Sequence, residues 1–224
     1  LAKLEDVGCD GVIVQDLGVA KLIREHFPRL ALHASTQLVA HNLEGVLALK
    51  ELGFVRVVLA RELSIEEIAS IAKRCGEMEL EVFIHGALCY SLSGLCLYGA
   101  MEKGRSGNRG KCPYCCRQSI DGRYPFSMKD LRVGEDVKKL VEAGVVSLKI
   151  EGRMKRPEYV SIVTKIYAAA LREHRTPTRE ELSALEQAFS RQGFTDGYYM
   201  DKTGREMFGI HEKNPLPEGL FADA

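Results

Sequence analysis

Short, β-branched apolar runs recur in the first part of the chain at a spacing of roughly 20–25 residues. They are Gly11-Val-Ile-Val-Gln15, Leu30-Ala-Leu-His33, Val55–Ala60 and Leu80–Ile84, with Val145–Ile150 further on. Helical spacing fills most of the intervals. Leu17, Ala20, Ile23 and Phe27 stand three and four apart, and Asn42 is a good cap for Leu43–Leu49. Ser64-Ile-Glu-Glu67 is a capping box before Ile65, Ile68, Ala69 and Ile71, and Pro157 opens a helix running to Arg172. Strand–helix alternation with short connections dictates βαβ units and a parallel sheet. No Gly-x-Gly-x-x-Gly follows a strand, which weakens a dinucleotide-binding fold. Polar residues instead gather after nearly every strand: Gln15-Asp16, His33–Gln37, Arg61-Glu62, His85-Gly86 and Glu151–Arg153. Sites spread over many strand ends favour an α/β TIM-like (β/α)8 barrel.

Five such strands are visible, where a whole barrel needs eight and about 250 residues. The expectation is a partial barrel, about the last five βα units, over residues 1–175. A second region, 176–224, reads as one amphipathic helix (Pro177–Arg191), the turn-rich Gly193–Tyr199 and a loose tail. With 31 Lys+Arg against 31 Asp+Glu and 46% hydrophobic residues, the chain is neither disordered nor coated in positive charge. Its apolar stretches are far short of the ~20 residues of a membrane span, and no secretion signal follows Leu1, so a cytoplasmic protein is expected.

Five of the seven cysteines fall between Cys89 and Cys116: Cys89, Cys96, Cys112, Cys115 and Cys116. An odd number of clustered thiols in such a chain points to metal binding or catalysis rather than to disulfides. Four thiolates at Cys89, Cys96, Cys112 and Cys116 suit an iron–sulfur cluster, and they equally suit zinc, for which Cys112-Pro-Tyr-Cys115 is a fitting pair. Lys103–Arg123 carries six basic residues against Asp121 alone. An RNA phosphate backbone is a natural partner for it, with Arg105, Arg109 and Arg117 as contacts. The same arginines could instead brace the cysteine loop.

From Glu81 the chain reads Glu-Val-Phe-Ile-His-Gly-Ala-Leu-Cys-Tyr-Ser-Leu-Ser-Gly-Leu-Cys, and from Gly104 Gly-Arg-Ser-Gly-Asn-Arg-Gly-Lys-Cys-Pro-Tyr-Cys-Cys-Arg. These blocks strongly resemble the signature of the U32 peptidase family of collagenase-like proteases. His33–Gln37, Val58–Glu62, Ser147–Lys155 and Gly193–Tyr198 are similar to further family blocks in family order, so the resemblance covers roughly residues 8–200. It implies a barrel with a Cys-rich insertion, 87–123, holding an iron–sulfur cluster, most readily [4Fe–4S]. The family pattern has Pro where this chain has Cys115, so Cys115 stands as a second thiol beside Cys116. Family members are associated with peptidase activity, with hydroxylation of a tRNA uridine or a 23S rRNA cytidine, and with ubiquinone synthesis. The RNA-acting members are associated with prephenate as co-substrate.

Nucleobase hydroxylation of tRNA or 23S rRNA is the function this implies. His85, Glu62 and Glu151 follow strands and are candidate catalytic groups. His33, Gln37, Lys149 and Arg153 are candidate substrate contacts, and Arg153 with Lys155 suits a dicarboxylate such as prephenate. A peptidase lacks its usual motifs here, with neither Gly-x-Ser-x-Gly nor His-Glu-x-x-His, and would need a Cys89–His85 pair. A zinc-bearing, non-enzymatic scaffold is the third reading.

Overall fold

A computed structural model describes residues 1–152, 155–190 and 193–209. Helix α1 (Ala2–Asp6) leads into three βα units: β1 (Gly11–Val14) and α2 (Leu17–His26), β2 (Ala31–Ala34) and α3 (Leu43–Glu51), β3 (Arg56–Val58) and α4 (Ile65–Ala72). The long β4 (Glu79–Gly86) follows. After the cysteine-bearing segment, with its short helix α5 (Tyr98–Lys103), come β5 (Asp130–Arg132), α6 (Val137–Glu142), β6 (Ser147–Ile150), α7 (Pro157–Arg172), α8 (Arg179–Ala188) and β7 (Phe194–Thr195). The five strands expected from the sequence are β1–β4 and β6, and they lie side by side and parallel in the order β1-β2-β3-β4-β6.

Local chemistry starts the helices where the sequence places them. The Asp16 and Asn42 side chains accept from the backbone N–H of Val19 and Gly45, both at 2.8 Å. Ser64 with Glu67, and Thr178 with Glu181, form reciprocal capping boxes. Helices α2, α3, α4, α6 and α7 then bury apolar side chains. Ile23, Val46, Ile68, Leu140 and Val163 join Leu32, Val57, Leu80 and Val82 of the strands in a single core. The other sheet face is polar. In-register His33, Arg56 and Glu79 share it with Glu81 and Ser147.

Two strands depart from the sequence expectation. β5 pairs antiparallel with the end of β4, and β7 pairs with β5. Both are too short to show a period. They are held by backbone bonds from distant segments, Val133 N–H to Ile84 at 3.0 Å and Asp130 N–H to Gly193 at 3.1 Å. Through β7 and α8, which packs on α7, the chain beyond 176 returns to the sheet. The Tyr199 hydroxyl donates to the Phe83 carbonyl at 2.6 Å.

A bulge in β4 matters most for the site. Phe83 faces Lys149 across β6, yet His85 faces Ile150, so one extra β4 residue is inserted. The alternation of faces is overturned there, and His85 lands against Tyr159 and Tyr167 of α7. Gly86 follows at φ +114°, where an added Cβ would lie 2.8 Å from Glu151 Cβ and 2.9 Å from the Glu151 carbonyl oxygen. Gly86→Ala is expected to cost about 2 kcal/mol or more through backbone strain and this clash. A urea midpoint equal to that of the unaltered chain would show that the close approach of β4 and β6 does not depend on this glycine.

Candidate functional site

The connection from β4 to β5, residues 87–129, crosses the C-terminal ends of β2 and β3 and is tied to both. Glu62, just beyond β3, accepts the Ser93 N–H at 2.7 Å and the Ser93 hydroxyl at 2.6 Å. The Ser93 hydroxyl in turn accepts the Arg61 N–H at 3.2 Å. Ser93 is fully buried at φ +44°, a left-handed conformation that a serine holds only when its surroundings enforce it. Gln37, beyond β2, donates to Asn108 Oδ1 at 3.2 Å. The two ends of the segment are joined by Arg117, which is buried and donates to the Leu88 carbonyl at 3.0 Å, the Ser127 hydroxyl at 2.9 Å and the Met128 carbonyl.

This bracing gathers the thiols. Cys89 Sγ lies 3.7 Å from Ser91 Oγ. Burial raises the Cys96 thiol, but the Ser91 hydroxyl and the Gly99 and Tyr98 N–H groups outweigh it, leaving the pKa lowered. Cys112 accepts the Tyr114 N–H at 3.4 Å, while burial and then the charges of Cys89, Cys96 and Cys115 raise its pKa. Burial drives Cys116 up to about 11, the Arg117 guanidinium opposing it and Cys89, Cys112 and Cys96 adding to it. Cys112 thus lies within electrostatic reach of Cys89, Cys96 and Cys115, and Cys116 within reach of Cys89, Cys112 and Cys96. Ionising them together is costly unless a cationic centre compensates, as a bound metal does. Backbone N–H groups aimed at the sulfurs also fit such a group. Cys115 is buried. Among the described residues no three His, Cys, Asp or Glu side chains are closed to the spacing of a single ion.

The other residues singled out in the sequence separate into groups. Glu62 and Gln37 hold the segment in place, and Arg117 is enclosed in its brace. Arg109 is exposed in a turn at Gly107–Arg109, and Arg105 is half-buried. Lys149 Nζ lies on the polar sheet face, 2.6 Å from Glu81. Burial raises the Glu81 carboxyl, but Lys149, Ser147 and Arg56 overcome it and hold the pKa below the usual carboxylate value. His33 shares that face, and burial followed by the Arg56 charge lowers its pKa. Glu151 accepts the Tyr159 hydroxyl on its carbonyl at 3.2 Å and donates its N–H to the His85 carbonyl at 2.9 Å. Arg153 lies outside the described residues.

His85 is 1% exposed and caged by Tyr159, Tyr167 and Phe194, its Nδ1 3.3 Å from the Tyr167 hydroxyl and its Nε2 without a partner among the described residues. No Cys89–His85 bond of the kind a thiol peptidase uses is formed, since the two side chains face Ser91 and Tyr167 respectively. Sequence reasoning gave no role to Ser91, Ser93 or Asn108. Serines and asparagines carry no periodic signal, and their partners lie 31 and 71 residues away for Ser93 and Asn108.

A mostly parallel α/β sheet whose strand ends are roofed by a braced cysteine segment defines the class. The chain belongs to peptidase family U32, whose model matches residues 1–209. It is 31% identical to tRNA hydroxylation protein P of Helicobacter pylori (strain ATCC 700392 / 26695) across 98% of this chain and 57% of that protein. It is 36% identical to the 23S rRNA 5-hydroxycytidine C2501 synthase of Escherichia coli (strain K12) across 91% of this chain and 31% of that one. It is 35% identical to a collagenase of Porphyromonas gingivalis (strain ATCC BAA-308 / W83) across 75% and 47%. The chain spans about half the length, or less, of these curated relatives. No described helix is long and apolar enough to cross a membrane.

Burial lowers the His85 pKa to about 4, the nearby Asp130 carboxylate opposing this. The folded state thus keeps the ring neutral while the unfolded chain titrates near pH 6.5. Stability is lost as pH falls from about 6.5 to about 4, with a contribution on the order of 2 kcal/mol gone by pH 5. His85→Phe should flatten this part of the profile. Equal changes in urea midpoint between pH 7 and pH 5 for both proteins would contradict the assignment.

Proposed function

We propose that this chain is the barrel portion of an iron–sulfur protein that hydroxylates a nucleobase in tRNA or 23S rRNA. The observation that carries the reading is one braced segment that holds Cys89, Cys96, Cys112 and Cys116 and also exposes Lys103, Arg109 and Lys111. When bound, a [4Fe–4S] cluster would supply electron-transfer chemistry, with zinc as the competing occupant of the same thiols. The names of two relatives, one acting on tRNA and one on 23S rRNA, support an RNA substrate.

The chain's own residues have definite roles in this reading. Glu62 and Gln37 fix the segment over the strand ends, and Arg117 locks its two ends together. The Tyr98, Gly99 and Tyr114 N–H groups soften the charge on the ligand sulfurs. Exposed Lys103, Arg109, Lys111 and Arg123 track the phosphates, and exposed Tyr90 and Tyr98 offer ring faces to unpaired bases. A TIM-like barrel is supported by the adjacent parallel strands β1-β2-β3-β4-β6 and the helices that follow β1, β2, β3 and β6. Reduced clustered thiols suit a cytoplasmic setting.

Nucleoside mass spectrometry of RNA from a strain lacking the gene tests the reading. A hydroxylated pyrimidine should disappear, return with the unaltered gene, and stay absent with Cys89→Ala. An unchanged nucleoside profile would defeat the RNA assignment, and peptide hydrolysis that depends on Cys89 would favour the peptidase reading.

A further inference from the structure

Four thiols complete the ligand set of a cluster or a zinc ion, and the braced segment carries a fifth, Cys115. Cys112-Pro113-Tyr114-Cys115 has proline at its second position and a positive φ, +55°, at its third. These are the two marks of a type II turn, which folds its first and fourth residues to within about 7 Å. A disulfide spans Cα separations of about that size or less. A tyrosine holds a left-handed conformation only under constraint. The Tyr114 N–H is tied to Cys112 Sγ at 3.4 Å, and its carbonyl accepts the Arg117 N–H at 2.9 Å. Pro113 lies so close to Gly99 of α5 that a Cβ there would meet Pro113 Cδ at 2.6 Å. Cys112 is within electrostatic reach of Cys115. The two differ in access, Cys112 being half-buried and Cys115 5% exposed. Cys115 and Cys116 follow one another in the turn Cys115–Arg117, where consecutive side chains point about a third of a turn apart.

We propose that the Cys112–Cys115 turn is an oxidative modification site, closing to a reversible disulfide when no metal holds Cys112. The oxidant is a low-molecular-weight disulfide such as oxidised glutathione. The more accessible Cys112 sulfur attacks one of its sulfurs, breaking the S–S bond and releasing one thiol. The enclosed Cys115 sulfur then displaces the second thiol. Two protein S–H bonds and one small-molecule S–S bond become one protein S–S bond and two thiols, which carry away both protons. The protein is oxidised by two electrons and the small disulfide reduced by two. The bridge and a bound metal exclude each other, because a bridged sulfur has no thiolate to give. The inference rests on the reading above only in taking Cys112 as a ligand, and it holds equally for iron–sulfur or zinc.

The test uses the full chain, freed of metal by a chelator and exposed to oxidised glutathione. Remaining thiols are then blocked with N-ethylmaleimide, and trypsin releases the peptide from Cys112 to Arg117 for mass spectrometry. The unaltered peptide should be lighter by two hydrogens and carry the blocking group on Cys116 alone. Cys116→Ser should still form the bridge, Cys112→Ser should form none, and Cys115→Ser should retain glutathione on Cys112. The bridged chain should take up no iron, sulfide or zinc until dithiothreitol is added. Should a variant fail to fold, the position of the blocking group in the unaltered peptide decides. A bridge in Cys112→Ser or Cys115→Ser, a blocking group on Cys112 or Cys115 of the unaltered chain, or undiminished metal uptake by the oxidised chain would each overturn the proposal. Neither RNA nor activity enters this test. A strain whose nucleosides are unchanged would therefore remove the RNA reading and leave the bridge standing, whereas a missing bridge would leave the RNA reading untouched.

Discussion

The site depends first on one anchored residue. Ser93 gives both its N–H and its hydroxyl to the Glu62 carboxylate, and it does so in a left-handed backbone conformation. Hydrogen bonds to a charged acceptor contribute roughly 1.5–3 kcal/mol each. Two of them on one buried residue are enough to hold a strained turn. Because Glu62 rides on the end of β3, the cysteine segment inherits its position from the sheet. Arg117 then closes the segment at its base, between Leu88 and Ser127–Met128. Ligands with little regular structure of their own are thereby placed by rigid elements.

Charge is divided between the two regions of the sheet in a way that fits this design. On the polar face, Glu81 is paired with Lys149 and Arg56 and accepts the Ser147 hydroxyl, so that carboxylate is satisfied. At the strand ends, by contrast, several groups lack compensation. Cys112 and Cys116 resist ionisation, and Arg61 Nε is buried with no hydrogen-bond partner among the described residues. Satisfied charge holds a fold together, while thiols that resist ionisation are what a bound metal would complete.

Much of this was legible in the sequence, for identifiable reasons. β1–β4 and β6 announce themselves as β-branched runs, and Asn42 and Ser64 cap their helices as their residue types dictate. The four-thiol set is visible as spacing. The role of Arg117 was open between substrate contact and brace, and three enclosed acceptors place it in the brace. The surroundings of His85 were not legible, because strict alternation along β4 would turn it to the same face as Glu81. A one-residue bulge, which has no sequence signal of its own, sends it under α7 instead. Arg61 could be seen in the sequence beside Glu62, but not that Glu62 would be engaged elsewhere.

The central claim is that the braced segment exists to hold a cluster on Cys89, Cys96, Cys112 and Cys116, with Cys115 outside the ligand set. Anaerobic iron and acid-labile sulfide analysis of the protein and of its single Cys→Ser variants tests it most directly. The account predicts iron and sulfide in equal amounts, lost in each of the four ligand variants and retained in Cys115→Ser. Stoichiometric zinc without sulfide, or loss of the cluster in Cys115→Ser with retention in Cys116→Ser, would contradict it.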